Sequence, residues 1–370
     1  MMNFAEYIWV DGTEPTRQLR SKTRTLQLDG RPNPSDFPEW SFDGSSTGQA
    51  SDDDSDCTLM PVAVATDPFR GEGCYLVLCE VFLPDGRPHP SNTRYDLRTL
   101  LAYGGAAHRP WVGFEQEYTL FKDGAPLGFS DAGEPEHDGN FYCGVGADRT
   151  FGRDIAEEHA QLCVDAGLMY YGLNAEVMPG QWEFQVGYRG VDGEDAGLLR
   201  ISDDLWLARW ILERVAEQKG VSVSFRNKPM KGDWKGAGMH TNFSTNETRD
   251  PAKGMIAIDR AIKNLSSRHY DHIAVYGYGL EERLTGHNET SAYGEFRAAT
   301  ADRNASIRIP QSVQQRGYGY FEDRRPGANA DPYEVSAQLT STVLEIDMPV
   351  HPSRSSYLRR LMHNLTTVAA

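Results

Sequence analysis

The sequence predicts an α+β chain of two domains, a β-rich unit over residues 1–95 and a larger unit over 96–370 in which strands alternate with helices. Three observations carry this reading. At 370 residues the chain exceeds one ordinary core and suits two. Its first part holds short apolar or alternating runs separated by Asp, Gly and Pro clusters. Beyond residue 96, helical stripes with recognisable caps interrupt strand-like runs.

In chain order, Thr23–Leu28, Leu59–Ala65 and Cys74–Phe82 read as strands of the first unit, and Pro84–Ser91 reads as a linker. Trp111–Leu120 has strand composition. Arg153–Ala166 carries a helical stripe (Ile155, Leu162, Cys163, Ala166) that stops at Gly167, a left-handed cap. Tyr171–Gln185 reads as two strands joined by a Pro179-Gly180 turn. Ser202 is placed to cap a helix with Asp203 and Asp204 in its first turn and an apolar stripe running to Gly220. Val221, Val223 and Phe225 alternate as a strand, and Met255–Leu265 is another helical stripe. Asp331-Pro-Tyr-Glu334 combines an N-cap, a first-position proline and a capping-box acid. A last amphipathic helix is expected through Tyr357, Leu361 and Leu365.

Composition narrows the function. A net charge of −16 argues against nucleic acid and membrane surfaces as partners, and a polyanionic substrate would need local arginines or metal ions. No apolar run approaches a membrane span, and the N-terminus lacks the features of a signal peptide. The five cysteines have no CxxC spacing and fit reduced thiols. The expectation is a cytoplasmic protein.

The chemistry concentrates in carboxylates on strands. If Pro179-Gly180 closes a two-residue loop, Glu176 faces Glu183 across the hairpin, at a distance where like charges repel. Such a pair needs a proton, a basic partner or a metal ion. Pro-Gly favours a type II turn, whereas the tightest hairpins prefer mirror-image turns, so the register stays open. Glu115 and Glu117 lie two apart and share a strand face with Gly113. The alternative is a solvated charged face, but Glu is depleted in strands.

His240, Asn242 and Ser244 alternate on one strand after the glycine-rich Gly232–Gly238 turn. Carboxylates with one imidazole suit magnesium or manganese better than structural zinc. Arg283, Arg303, Arg308, Arg324 and Arg325 fall in a segment that could clamp phosphate, with ordinary ion pairing as the alternative. Asp43, among aromatics and hydroxyls, is either a functional acid or a turn residue before Gly44; the acidic run Ser51–Asp56 reads as a solvated loop. Together these pieces suit metal-dependent phosphoryl transfer without naming the acceptor.

Trp40-Ser-Phe-Asp-Gly-Ser-Ser-Thr47, Gly113-Phe-Glu-Gln-Glu-Tyr118, Asn174-Ala-Glu-Val-Met-Pro-Gly-Gln-Trp-Glu-Phe184, Gly236-Ala-Gly-Met-His240 and Ala305-Ser-Ile-Arg-Ile-Pro310 resemble the glutamine synthetase family, in its eukaryotic-like type II group, which bacteria also carry, and the chain reads as a bacterial member. The resemblance runs in one order from about residue 5 to 345. It implies an N-terminal β-grasp domain and a catalytic α/β domain with a curved antiparallel sheet. It further implies a homo-oligomer, a decamer of two stacked pentamers with sites between subunits. The implied reaction joins ammonia to L-glutamate with ATP, through γ-glutamyl phosphate, using two or more Mg2+ or Mn2+ ions.

Carried over by motif, one metal falls to Glu117, Glu176 and Glu183, the other to Glu115, His240 and Glu322. Arg303 resembles the residue that stabilises the transferring phosphoryl group, and Arg308 one facing nucleotide phosphate. Arg283 and Arg324 match substrate-carboxylate positions, with Asp233, Trp234 and Gly236 at the amino end. Trp111, Asn242, Ser244 and Tyr320 match positions around ATP. Asp43 resembles the ammonium-deprotonating acid, brought by a neighbouring subunit, with Tyr142 and Glu176 completing that pocket and Glu289 on a closing loop. One departure matters: the family pattern has Asn where this chain has Lys235. A sibling ligase that uses an organic amine or another acid is the competing reading. A catalytically silent ring is disfavoured because every ligand position is filled.

Overall fold

The computed structural model describes residues 2–28, 30, 32–129, 135 and 141–351. The last expected helix, through Tyr357, lies outside them. The described residues divide into two compact units: one runs to Ala102 and includes residues 347–351, the other is Tyr103–Ile346.

The first unit holds β1 (Met2–Val10), β2 (Leu19–Gln27), β3 (Trp40–Asp43), β4 (Asp56–Thr66), β5 (Tyr75–Phe82) and α1 (Thr93–Ala102). Its sheet has the order β2-β1-β5-β4-β3, with β1 and β5 parallel. Tyr7, Trp9, Phe42, Leu59, Val77 and Val81 build its core. The sequence reading assigned no strand to residues 2–10, yet β1 is central: Ala5 through Ile8 are buried, and buried Glu6 is neutralised by Arg70 at 2.9 Å. The expected linker is followed by α1, tied back to β5 by Arg94, which donates to buried Glu80 at 2.9 Å.

The second unit holds β6 (Trp111–Lys122), β7 (Ala125–Pro126), α2 (Arg153–Asp165), β8 (Tyr170–Ala175), β9 (Gln181–Val186), α3 (Leu198–Gln218), β10 (Ser222–Ser224), β11 (Met239–Ser244) and α4 (Gly254–Ser267). It continues with α5 (His269–Ile273), α6 (Leu280–Arg283), β12 (Ala298–Thr300), β13 (Ile307–Ile309), α7 (Gln311–Arg316), β14 (Phe321–Asp323) and α8 (Pro332–Leu344). The main path of its sheet is β12-β13-β14-β11-β6-β9-β8, with β7 and β10 also on β6. All pairs are antiparallel except β12–β13, so the sheet is mixed.

Two local expectations are corrected. The Pro179-Gly180 turn forms where predicted, with Gly180 at φ 73° and the Gln181 N–H donating to the Met178 carbonyl at 3.0 Å. Above it, however, Ala175 pairs with Trp182 and Asn174 with Glu183. The same register carries on to Glu176, whose N–H donates to the Gln181 carbonyl at 2.9 Å, so the loop spans residues 177–180 and Glu176 does not stand opposite Glu183. The second correction concerns α3, which begins at Leu198, so Ser202 is not its cap. Ser202, Asp203 and Asp204 are buried inside the helix. Asp203 accepts from the Tyr333 hydroxyl at 2.6 Å, and Asp204 from the Met169 N–H at 2.9 Å. Tertiary partners hold these polar side chains, which a local reading assigns to a helix start. At α8 the cap forms as read, Asp331 accepting from the Tyr333 N–H at 2.9 Å.

Candidate active site

β6, near the middle of the second sheet, sets out the site. Its odd positions from 113 to 117 face one way, and its neighbours place polar residues on the same face. Glu115 stands opposite His240 on β11, and Glu117 stands opposite Glu183 on β9. One strand further, Asn242 pairs with Glu322 on β14, which in turn pairs with Arg308 on β13. Five adjacent strands thus present these side chains around a cavity of about 410 Å³.

The carboxylates gather in two groups. Glu117, Glu176 and Glu183 each offer an oxygen within 4.8 Å of the others, as do ligand atoms of Glu115, His240 and Glu322. Glu176, the residue after β8 ends at Ala175, brings the third member to the first group from the start of the hairpin loop. Burial, then the Glu117 charge, pushes Glu176 up to about 8. Burial, then Glu115, Glu117 and Glu176, holds Glu183 well above the usual carboxylate range. Burial raises Glu117 too, with Arg283 opposing. Three such groups cannot all ionise without a cation among them. Their hard oxygen donors, with a single imidazole in the neighbouring group, fit a divalent ion such as Mg2+ or Mn2+.

Each member is oriented from behind. Glu117 accepts from the Gly238 N–H, Glu115 from Asn242 at 2.9 Å, Glu176 from Asn174 at 3.0 Å, and Glu183 from Gln185. His240 turns Nδ1 toward Glu115 (3.5 Å) and Glu322 (3.7 Å), while Arg283 lies 3.0 Å from Nε2. Burial, then Arg324, keeps the imidazole neutral, the form that binds metals. Glu322 is gripped by Arg324 at 2.6 Å and Arg308 at 2.7 Å. Arg324 also donates to the Arg303 carbonyl at 3.0 Å. Gly236 is required by this crowding: a Cβ there would lie 2.7 Å from the Arg283 side chain.

The structure brings Glu115, Glu117, Tyr142, Glu176, Glu183, Gly236, His240, Arg283, Glu289, Arg303, Arg308, Glu322 and Arg324 to this cavity. Other residues singled out in the sequence lie off its walls. Asn242 reaches it only through Glu115. Trp111 and Ser244 pair at the far end of β6 and β11, bridged by Arg249, which donates to Ser244 at 2.7 Å and covers the Trp111 ring at 4.4 Å. Tyr320 precedes β14 and is partly exposed. Trp234 is buried against Met178 and Phe141 as core, and Asp233 accepts from Asn288 at 3.2 Å. Asp43 belongs to the first unit, exposed, where the Ser46 and Ser45 hydroxyls hold its carboxyl below the usual range. The sequence reading overlooked Asn174, Gln185 and Asn288. Gln185 was legible, two residues from Glu183 on one strand face; Asn288 was not, because a loop position carries no period.

Comparison with known proteins follows the same division. Residues 1–84 match the family model of the glutamine synthetase β-grasp domain, and residues 91–275 that of the glutamine synthetase catalytic domain. The chain belongs to the glutamine synthetase family. Among its relatives are a chloroplastic glutamine synthetase of Chlamydomonas reinhardtii (49% identical, covering 92% of this chain and 90% of the relative) and a glutamine synthetase of Streptomyces viridochromogenes (51%, covering 91% and 96%). A third, from the spiny lobster Panulirus argus, is 50% identical over 92% of both chains. The first sheet, β2-β1-β5-β4-β3, is thus this family's β-grasp domain, and the Glu-lined sheet lies in its catalytic domain.

Proposed function

We propose that this chain joins ammonia to the γ-carboxylate of L-glutamate with ATP, through γ-glutamyl phosphate, releasing glutamine, ADP and phosphate. The observation that carries the reading is the pair of three-ligand groups on one sheet face. Glu117, Glu176 and Glu183 would hold one divalent ion, and Glu115, His240 and Glu322 another. Bound there, Mg2+ or Mn2+ would supply charge neutralisation for the phosphates.

The chain's own residues do the rest. Arg303, on the cavity wall, offers its guanidinium to the transferring phosphoryl group, as Arg308 does to nucleotide phosphate. Arg283, buried with its charge pointing at the cavity, and Arg324 orient substrate carboxylates. Trp111, Asn242, Ser244 and Tyr320 would line the ATP side, and Asp233, Trp234 and Gly236 the amino end of glutamate. Tyr142 and Glu176 form the ammonium side, where Asp43 from an adjacent subunit takes the proton. The hydroxyl bonds that depress Asp43 keep it ionised and able to attract ammonium. Glu289 lies on a loop that excludes water from the acyl phosphate.

Assembly as a decamer of two pentamers and a cytoplasmic location are part of the same reading; among the described residues no helix is long and apolar enough to cross a membrane. The test is product analysis with magnesium or manganese, ATP and glutamate, offering ammonium beside a set of organic amines. Glutamine as the dominant product supports the reading. Amide products from amines with none from ammonium would favour the sibling ligase, for which Lys235 is the motivating departure.

A further inference from the structure

Two segments meet at the cavity mouth: the glycine-rich turn 232–238 and the loop 286–291. The Lys235 ammonium lies 2.6 Å from the Glu289 carboxylate, and Asn288 donates to Asp233 at 3.2 Å, so two side-chain ties join the same segments. Asn288 and Glu289 have φ of 53° and 64°, consecutive left-handed residues with full side chains. Such backbone is costly and persists where its surroundings hold it. The loop's base is also fastened, the Thr290 hydroxyl donating to the carbonyls of His287 (2.9 Å) and Arg283 (3.1 Å). Its tip is held by the two ties alone among the described hydrogen bonds and ion pairs of residues 288 and 289, apart from a long contact of the Glu289 carbonyl with Arg324 at 3.4 Å. Lys235 is the one lysine on the wall of a cavity whose other cations are arginines.

We propose that Lys235 is a positioning residue: its ion pair with Glu289 fastens the 286–291 loop across the cavity and keeps water from the activated acyl group. The inference rests on the ligase reading above. A neutral, shorter side chain such as asparagine at this position could not form this pair, so the device depends on the lysine itself. The side chains of Lys235 and Glu289 are 25% and 39% exposed, which places the pair with partly solvated ion pairs of modest strength. An effect of roughly two- to five-fold is therefore expected.

The experiment measures glutamate-dependent phosphate release against glutamine formed, with magnesium, ATP and ammonium, for the full-length wild type, Lys235→Met, Lys235→Gln and Lys235→Arg. A fastened loop gives a ratio near unity in the wild type and in Lys235→Arg, and a ratio about two- to five-fold higher in the two neutral variants. A purely structural lysine would lower both products together and leave the ratio alone, and that result overturns the proposal. So does an arginine variant that behaves like the neutral ones. Should Lys235→Met fail to fold, the glutamine variant decides. A wild type that makes no glutamine removes the ligase reading and this inference with it, whereas an active wild type with unchanged ratios removes the inference only.

Discussion

Glu117 and Glu183 face each other directly across β6 and β9, each more than nine-tenths buried. Like charges so placed oppose folding, and only a cation or shared protons make the arrangement tolerable. Glu183→Gln keeps the volume and an oxygen that can accept from Gln185 while removing the charge. The variant should melt no lower than the wild type without metal, yet lose most of the stabilisation that magnesium or manganese gives. A ligand at about 100 times its Kd adds roughly 2.7 kcal/mol, so the wild-type shift is readable by calorimetry. A variant that gains as much from the ion as the wild type would show that Glu183 is no ligand. At this scale the sequence was informative because strand periodicity puts Glu115 and Glu117 on one face whatever the rest of the fold does. It misplaced Glu176 because the hairpin loop is longer than the two residues a Pro-Gly turn suggests, and loop length sets the register.

Among the elements, α3 fixes β6 from behind. Arg209, almost wholly buried, donates to the Gln116 side-chain Oε1 at 2.9 Å and to the main-chain carbonyls of Ala328 and Ala330 at 3.1 and 3.0 Å. Gln116 sits between the two cavity glutamates and points the opposite way, so this clamp sets their strand's position. Burial lowers Arg209 to about 9, which still leaves it charged at neutral pH. Arg209→Met fills the space but strips the Gln116 side-chain oxygen and the Ala330 carbonyl of their donor, while the Ala328 carbonyl keeps Gln116 Nε2 at 3.0 Å. The expected loss is about 2–4 kcal/mol, seen as a lower urea midpoint. A loss under about 1 kcal/mol would mean that water or neighbouring groups satisfy those acceptors. The stripe of α3 was legible in the sequence, but its start and the role of its polar residues were not. Ser202, Asp203 and Asp204 resemble a helix N-terminus locally, and only α8 and the segment at Met169 make them interior.

For the molecule as a whole, the cavity ties stability to pH. Glu176, raised to about 8, and Glu117 and Glu183, also raised, bind protons in the metal-free folded protein that the unfolded chain has released. From about 4.5 to about 8 the folded state therefore holds more protons, and stability falls as pH rises through that window. Asp204 (about 6) pushes the same way, while His89 and His159, both lowered to about 4, cost stability as pH falls below about 6.5. Melting temperatures taken against pH with a chelator and with saturating magnesium separate these terms, because the ion acts on the cavity alone. The two curves should diverge as pH rises from about 6 to about 8. Parallel curves would mean that the carboxylates do not bind the ion.

The sequence by itself determined the family and the glutamates, histidine and arginines found on the cavity wall, because motif spacing and strand alternation are local and survive any packing. Tertiary structure alone decided which carboxylates meet, since opposition across β6, β9 and β11 depends on register and on the length of the hairpin loop. It alone decided that Lys235 reaches Glu289 from 54 residues away in the chain (289 − 235). It also decided that β1, whose burial on both faces blurs its alternation, is an interior strand of its sheet, between β2 and β5. Contacts between distant segments depend on where the whole chain closes on itself, and no window of sequence contains that.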